Sequence, residues 1–403
     1  MPRAGWLKPA SERRLSDLVS VGLLTRVFPA DVVDAVIAET GRTEQRHRSL
    51  PARTMAYFAI GMALHSEGSY EDVLGLLTDG LSWAESGVEP VRLPSKSAIF
   101  QARDRLGFEP VKALFDRLAQ PLATVETPGS FLAGRRMVAI DGTTFDVADT
   151  VVNDEFFGRP GTAKGERSAF PQARVVALAE CGTHAMFDAE IGPYTASETT
   201  LSRLLVDRLE PKMVLLADRG FTGFALWQQA AASGADLLWR AKNNVTPRQI
   251  EVLADGSWLG EMRLSNARVN TEHVVVRVVD YSVEDGRDVE TGPFRLFTTM
   301  LDPDEVSATE LAAAYAQRWE IESAFDELKT HQRGSKMVLR SKSPALVQQE
   351  IWGHLCCHYA IRTLMFEAAH DHDVDPDRVS FVAALRITRR SLSQARDFSP
   401  SGH

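Results

Sequence analysis

The first 125 residues place apolar side chains at the three- and four-residue intervals of amphipathic helices. Leu23 and Val27 follow this spacing before a break at Pro29, and a continuous apolar run extends from Met55 to His65. Spacing of this kind indicates helices that bury at least one face, and proline marks where one helix ends. The sequence therefore predicts a helical N-terminal domain over residues 1–125.

The segment from Leu93 to Leu106 resembles the second half of a helix-turn-helix. A short basic helix, Ser95–Leu106, is bounded by Pro94 and Gly107. Proline before a helix and glycine after it are ordinary helix boundaries. Many surface helices share this pattern, so the segment alone does not establish DNA binding.

Beyond residue 126 the pattern changes to short apolar runs of strand length. Five such runs alternate with two helical segments in the order β-β-β-α-β-α-β, and a hairpin turn at Cys181–His184 joins the second run to the third. The predicted strands are Met137–Ile140, Ala173–Ala179, Ala185–Ile191, Met213–Ala217 and Leu237–Ala241, and the helices are Ser197–Leu209 and Phe224–Ala232. This order predicts an α/β domain that begins with a hairpin.

Residues 243–309 interrupt that alternation with a β-rich insertion. His273–Val283 alternates and is rich in valine, Phe294–Leu301 is a further strand, and two Asp-Gly pairs are hairpin signals. Helical spacing returns at Glu310, and a long apolar helix runs from Val347 to Ala369. We expect one α/β domain over residues 126–390 that ends in helices, followed by a tail at 391–403.

Composition excludes several classes of protein. The 403 residues are 44% hydrophobic and 25% charged, as in ordinary soluble proteins of two or three domains. No apolar run approaches the roughly 20 residues that span a bilayer, and no secretory signal is visible, so we expect a cytoplasmic protein without a membrane partner. Cys181, Cys356 and Cys357 lack the spacing of a zinc site or a disulfide framework, which predicts buried thiols.

The net charge of −9 opposes phosphate binding by the surface as a whole, but the distribution of charge decides local binding. Lys329–Lys342 holds five basic and no acidic residues, Arg386–Arg396 holds four basic and no acidic residues, and Arg42–Arg53 holds four arginines and one glutamate. Any one run is typical of a solvated surface. Three together indicate basic patches on an acidic protein.

Two aspartates each follow a predicted buried strand. Asp141 and Gly142 come directly after Met137–Ile140, and Asp218 comes directly after Met213–Ala217. Ligands bind at the carboxyl ends of strands in open α/β sheets. The alternative for either residue alone is that it simply begins a turn. If the two strands are neighbours, however, the two carboxylates can face each other.

A third carboxylate belongs to the predicted helix Leu311–Thr330. At about 100° per residue, Tyr315, Arg318, Glu322 and Lys329 fall within roughly 60° of one another on one helix face, which borders the buried side. Arg318 and Glu322 are four residues apart, so they suit either a simple intrahelical ion pair or a metal ligand beside phosphate-binding cations.

Other acidic residues of this helix compete less well. Asp326 is the one rival whose helical phase lies near that of Glu322. Glu320 and Glu327 fall on the opposite side of an ideal helix, where we expect solvated side chains.

These motifs together resemble the IS4-type insertion-sequence transposases of the DDE group, which have an RNase H-like catalytic core. The three blocks that carry the resemblance are AIDGTTFDV around Asp141, LLADRGF around Asp218, and the spacing Y-x2-R-x3-E-x6-K formed by Tyr315, Arg318, Glu322 and Lys329. RSKSPALVQQEIW and SAIFQARDRLG also look like this family, so the resemblance covers residues 15–390. It implies a DNA transposase that performs cut-and-paste transposition by metal-dependent cleavage and strand transfer.

The resemblance also implies the ligands of the site. Asp141, Asp218 and Glu322 would hold two Mg²⁺ or Mn²⁺ ions, with Asp141 bridging both, because hard cations prefer oxygen ligands. The residues expected to contact DNA phosphates or to support that contact are Arg318, Lys329, Tyr315, Arg240 and Lys242. Some family members form a DNA hairpin with a tryptophan of the insertion, for which Trp258 is available, although a core role suits it better.

The expected partners are double-stranded DNA, as the terminal inverted repeats of the element and as target DNA, and a second copy of the chain on that DNA. Two other functions fit the same residues. One is a metal-dependent nuclease without strand transfer, and the other is a transposase-derived DNA-binding protein that acts through its N-terminal helices. Intact Asp141, Asp218 and Glu322 argue against the second of these.

Overall fold

The structure is a computed structural model that describes residues 19–46, 49–82, 94–161, 167–221, 223–242, 245–263, 273–285, 289–334 and 338–390. The tail expected at 391–403 lies outside the described residues, as does Leu93 at the start of the segment that resembles a helix-turn-helix. Across these ranges no helix is long and apolar enough to cross a membrane. All three cysteines are buried free thiols, as predicted.

The helices that precede the sheet pack around one helix that is apolar on every side. They are α1 Val19–Val27, α2 Ala30–Glu39, α3 Ala52–Leu64, α4 Tyr70–Ser82, α5 Lys96–Leu106 and α6 Glu109–Leu118. In α3 every residue from Thr54 to Leu64 is buried. A helix without a polar face needs cover on all sides, and α1, α2, α4 and α5 supply it together with a long C-terminal helix, α12 (Pro344–Asp371).

The described strands form one mixed sheet. The strands of its core are β1 Phe131–Leu132, β2 Arg135–Val147, β3 Gln172–Glu180, β4 Met186–Pro193, β5 Met213–Ala217 and β6 Asp236–Arg240. Those of the insertion are β7 Arg248–Val252, β8 Trp258–Arg263, β9 His273–Asp285 and β10 Val289–Thr298, and a short strand, β11 Val338–Leu339, follows later. The helices between and after them are α7 Val151–Phe157, α8 Glu198–Val206, α9 Phe224–Ala232, α10 Ala308–Ala316, α11 Trp319–Asp326 and α13 Phe381–Arg390.

β2 is an interior strand of the sheet, whose order is β4-β3-β2-β5-β6-β10-β9-β8-β7. It pairs antiparallel with β3 and parallel with β5, and β5 pairs parallel with β6. The insertion extends the same sheet, because β10 pairs antiparallel with β6. The α/β prediction, with its initial hairpin, is confirmed.

A buried arginine connects the insertion to the chain that leads into α10. Arg277 of β9 is 0% exposed, and its Nη1 donates to the carbonyl oxygen of Val306 at 2.7 Å. Its Nε donates to Ser257 Oγ at 2.8 Å. The insertion is therefore attached to the segment just before the helices that carry the third carboxylate.

Side chains along β2 alternate between two apolar clusters. Met137 and Ala139 pack into the cluster that contains α3 and α12, whereas Val138 and Ile140 pack against α8 and α9. Successive residues of a strand point to opposite faces. Asp141 therefore lies on the face covered by the C-terminal helices.

The structure corrects the prediction that the first strand ends at Asp141. β2 continues to Val147, because β3 pairs with it as far as Asp146 and β11 adds a parallel partner at Val147. Gly142 lies inside this strand instead of in a turn. A Cβ atom there would lie 2.6 Å from Cγ of Glu198, so glycine gives that side chain room against the strand.

The N-terminal helices dock onto α12 through a buried polar network. Arg103 of α5 is 0% exposed. Its guanidinium donates to Gln349 of α12 at 2.9 Å, to the hydroxyl of Tyr70 at 2.6 Å and to Ser341 at 3.2 Å. Satisfied polar groups of this kind fix one orientation of the packed elements.

Close packing of α3 against α12 predicts a strong effect of one added methyl group. A Cβ at Gly353 would lie 3.0 Å from the carbonyl carbon of Ala59 and closer still to its oxygen. Because backbone atoms must then move, Gly353→Ala should lower the free energy of unfolding by about 1–3 kcal/mol in urea titrations. The matched control is Gly61→Ala in α3, whose Cβ would meet Leu77 at an ordinary 3.5 Å. It should be neutral or slightly stabilising, and equal losses in both variants would contradict this packing.

Candidate active site

Asp141, within β2, and Asp218, directly after β5, lie at the same level of two neighbouring parallel strands. The register of β2 with β5 pairs Ile140 with Ala217, which are the residues directly before the two aspartates. Neighbouring strands lie about 4.8 Å apart. The structure therefore brings together the two carboxylates that the sequence placed on separate strands.

Backbone amides orient both carboxylates. Oδ1 of Asp141 accepts a hydrogen bond from the amide of Gly142 at 2.8 Å, and Oδ1 of Asp218 accepts one from the amide of Gly220 at 2.6 Å. A Cβ atom at Gly220 would lie 2.8 Å from the same Asp218 oxygen. The glycine thus lets the chain turn closely around the carboxylate.

The third carboxylate comes from a helical segment that is not continuous. The single helix predicted over Leu311–Thr330 is wrong, because α10 ends at Ala316, α11 begins at Trp319, and a π-helix occupies Glu327–Gln332. Amides of Gln317 and Arg318 bond to carbonyls three residues back, which tightens the chain between α10 and α11. The ideal helical phase therefore does not extend from Tyr315 to Lys329.

Arg318, at the junction of α10 and α11, lies between two of the carboxylates. Its side chain is 7% exposed, with Nη2 2.8 Å from Glu322 Oε1 and Nη1 3.7 Å from Asp141 Oδ2. The guanidinium also lies 5.0 Å from the ring centre of Trp319. The predicted ion pair between Arg318 and Glu322 is thus present, and Arg318 also faces Asp141 of β2.

Tyr315, in the last turn of α10, is buried against the end of β5. It is 4% exposed, and its hydroxyl donates to the carbonyl oxygen of Ala217 at 3.4 Å. Burial raises the pKa of Tyr315, the charge of Asp218 also raises it, and the charges of Arg318 and Arg240 oppose the change. The neutral phenol links α10 to the end of β5, just before Asp218.

Lys329 reaches the same face of β2 from the π-helix. Its Nζ donates to Thr143 Oγ1 at 3.1 Å and lies 5.9 Å from the ring centre of Phe145. Burial lowers the pKa of Lys329, and the charge of Arg333 lowers it further. A lysine is therefore placed two residues along the strand from Asp141.

The other expected DNA-contacting residues lie farther along the sheet. Arg240 ends β6 and stacks over Phe294, with 4.2 Å between its guanidinium carbon and the ring centre. Lys242 is exposed two residues later. Trp258 of β8 donates to Asp280 at 3.2 Å, and β8 is five strands from β2 in the sheet order. The structure does not bring Trp258 to the carboxylates.

Asp326, the rival to Glu322, is directed elsewhere. Its side chain is 59% exposed, accepts a hydrogen bond from Thr330 at 2.6 Å and lies 3.4 Å from His331. Glu322, in contrast, shares Arg318 with Asp141. The contacts favour Glu322 as the third member of the carboxylate group.

Glu320 and Glu327 correct the expectation of solvated side chains on the far side of this helix. Each side chain is only 12% exposed, because α12 and the 3₁₀ turn Pro376–Arg378 cover that side. Glu320 accepts from the amide of Gly182 in the β3–β4 turn. An ideal helix cannot show this burial, since the covering segments, α12 and Pro376–Arg378, come later in the chain.

His184, Glu320 and Asp377 place a ring nitrogen and two carboxylate oxygens within 4.8 Å of one another. His184 Nδ1 lies 2.6 Å from Arg362 Nη2, and His184 Nε2 lies 3.1 Å from Asp377. Because arginine only donates, Nδ1 accepts and Nε2 carries the proton toward Asp377. This group is a hydrogen-bonded support behind α11.

The electrostatics of the carboxylate group favour bound cations. Burial raises the pKa of Asp141 to about 6. The hydrogen bond from the Gly142 amide and the charge of Arg318 lower this pKa, whereas the negative charges of Asp218 and Glu322 raise it. One arginine does not balance three carboxylates. Oxygen donors with excess negative charge fit divalent cations such as Mg²⁺.

Comparison with known proteins identifies the family of the chain. Residues 18–116 match the family described as insertion element 4 transposase N-terminal, and residues 132–360 match the transposase DDE domain. The chain is 29% identical over 374 residues to the transposase InsG for insertion sequence element IS4 of Escherichia coli (strain K12), which covers 92% of this chain and 82% of that protein. It is also 28% identical over 256 residues to the putative transposase InsZ of the same strain. That alignment covers 62% of this chain and 82% of InsZ.

A solved piggyBac transposase synaptic complex with hairpin DNA superimposes with a TM-score of 0.48 and 12% identity over 93% of this chain and 80% of that one. At that level the likeness carries no weight in the assignment. The DDE match extends over more than half of the 403 residues, so the chain belongs to the DDE transposases. Within that class it is an IS4-type DNA transposase, an enzyme with an RNase H-like core that depends on a divalent metal.

Removal of one charge should stabilise the metal-free protein. The folded-state pKa of Asp141, about 6, lies above its ordinary value of 3.8, so folding favours the protonated acid and stability falls as the pH rises through this interval. Asp141→Asn should therefore raise the free energy of unfolding at pH 7.5 by up to about 3 kcal/mol. The gain should shrink toward pH 4.5.

Urea unfolding with EDTA at both pH values measures this difference. Added Mg²⁺ should stabilise the wild type more than the variant, because a ligand that binds the folded state shifts its equilibrium. A folded Asp141→Asn protein that is less stable than the wild type at pH 7.5 would contradict the electrostatic account.

Proposed function

We propose that Asp141, Asp218 and Glu322 hold two Mg²⁺ or Mn²⁺ ions and that Asp141 contacts both. One observation carries the proposal: Arg318 joins Asp141 to Glu322 while the β2–β5 register sets Asp218 beside Asp141. A hydrogen bond orients one oxygen of each carboxylate. The second oxygen of Asp141 lies 3.7 Å from Arg318 Nη1, beyond hydrogen-bonding distance, so it could still contact a cation.

Paired divalent ions stabilise the attacking and leaving oxygens of phosphoryl transfer. The protein residues position the reacting groups around them. Arg318 keeps Asp141 and Glu322 together, and Tyr315 supports Arg318 from below through its contact with β5. Lys329 and Arg318 would contact DNA phosphates beside the cleavage point, and Arg240 and Lys242 would extend that contact along the edge of the sheet.

The reaction that this site supports best is cut-and-paste transposition of an insertion sequence. Cleavage at the terminal inverted repeats frees a 3′-hydroxyl, and the same site joins it to target DNA. We propose that the helical region of residues 1–125 binds DNA beside the catalytic domain of residues 126–390. Because two DNA ends are cut in one event, the active form is a dimer on DNA.

Substitution of Glu322 tests this proposal. Glu322→Gln keeps the shape of the side chain but removes a ligand charge, so Mg²⁺-dependent nicking of inverted-repeat DNA should fall by at least about 100-fold. Asp326→Asn, which makes the same chemical change one turn away on an exposed residue, should cleave within about twofold of the wild type.

Gel assays that resolve nicked and joined DNA measure both steps. Joined products from the wild type distinguish strand transfer from simple nuclease activity. Wild-type cleavage by Glu322→Gln, or loss of cleavage in Asp326→Asn alone, would overturn the assignment of Glu322.

A further inference from the structure

A stripe of three α12 side chains covers the back of the segment that follows Glu322. His354, His358 and Arg362 lie one helical turn apart and are at most 3% exposed. They contact the π-helix at its first residue, Glu327, and at its last, Gln332. The π-helix is therefore attached to α12 at both ends.

Glu327 makes the stronger of these attachments. Its Oε2 lies 3.0 Å from His358 Nε2 and accepts from Arg362 Nε at 2.9 Å, and Arg362 Nη2 donates to its Oε1. Burial raises the pKa of Glu327, but the hydrogen bond from His358 and the charge of Arg362 outweigh burial and lower it. Glu327 is therefore an ionised, nearly buried carboxylate.

Gln332 fixes the other end. It is 0% exposed, and its Nε2 donates to the carbonyl oxygen of His354 at 2.9 Å. The backbone carbonyl oxygen of Gln332 accepts hydrogen bonds from Ser66 Oγ at 3.1 Å and from Arg389 Nη2 at 3.2 Å. The end of the π-helix thus contacts α12, α13 and the turn that follows α3.

Lys329 lies between the two attachments and faces the opposite side, where it contacts Thr143 of β2. A π-helix bonds each residue to one five positions back, so its turns are wider than those of α11. Single π turns are rare and require support from their surroundings, and they often occur at functional sites. The direction of Lys329 relative to Glu322 therefore depends on the segment keeping this form.

We propose that Glu327 is a positioning residue that, through His358 and Arg362, holds the π-helix Glu327–Gln332 and so directs Lys329 toward DNA phosphate. The proposal rests on the proposed function in one respect, the contact of Lys329 with DNA. Among the described residues, no hydrogen bond or ion pair joins Glu327 to Asp141, Asp218 or Glu322; its partners are on α12 and beside it.

A double-mutant cycle between Glu327 and Lys329 tests this coupling. Binding of an inverted-repeat DNA end is measured by fluorescence anisotropy in EDTA, so no metal-dependent step contributes. Lys329→Ala and Glu327→Gln should each weaken binding about fivefold. The double variant should bind no more weakly than either single variant, because both changes remove the same phosphate contact.

Two further proteins control for the fold. Asp326→Asn changes the adjacent exposed carboxylate and should bind as the wild type does. Glu327→Gln leaves the Arg362 charge buried without its carboxylate, which can prevent folding. If Glu327→Gln does not fold, the double variant Glu327→Gln/Arg362→Gln, which removes both charges, takes its place. It should lose the same DNA affinity, and adding Lys329→Ala to it should cause no further loss.

The outcomes separate the two proposals. Losses that multiply in the double variant, or a folded Glu327→Gln protein that binds as the wild type does, would overturn the positioning role alone. If Lys329→Ala binds as the wild type does, the phosphate contact in the proposed function fails, and the positioning role fails with it.

Discussion

A single buried guanidinium between two carboxylates is the interaction on which the catalytic face depends. Asp141, Asp218 and Glu322 converge from two strands and a helix. Burial raises the pKa of Asp141 to about 6, and repulsion by Asp218 and Glu322 adds to the rise. Arg318, whose side chain is 7% exposed, offsets part of that repulsion. Its guanidinium lies 2.8 Å from Glu322 Oε1 and 3.7 Å from Asp141 Oδ2. In the proposed site a divalent cation would satisfy the remaining negative charge, so stability without metal and metal binding would be opposing demands on the same residues.

The surrounding fold supports this acidic group from the side away from the catalytic face. Ionic and hydrogen-bonded contacts from α12, α13 and the β3–β4 turn reach Glu320, Glu327 and Gln332, on the side of the helical segment away from the catalytic face. The N-terminal helices join the same support through the Arg103 contacts with α12. The acidic site is thus held by buried polar groups whose hydrogen bonds specify one arrangement of the helices.

The sequence was sufficient to propose the three carboxylates as site residues, because strand pattern and local spacing are properties of short segments. Asp141 and Asp218 followed apolar runs, and Glu322 shared a spacing with Arg318. The break at Gln317 and Arg318 and the π-helix at Glu327 could not be predicted, because tertiary contacts override the ideal helical period. The burial of Glu320 and Glu327 was missed for the same reason, since the covering side chains are distant in sequence.

Anomalous diffraction from crystals of the protein with inverted-repeat DNA and Mn²⁺ tests the central claim most directly. The account predicts two anomalous peaks about 3.5–4 Å apart, with an Asp141 oxygen within bonding distance of both and with Asp218 and Glu322 on one peak each. Peaks confined to the His184, Glu320 and Asp377 cluster, with none between Asp141, Asp218 and Glu322, would contradict it.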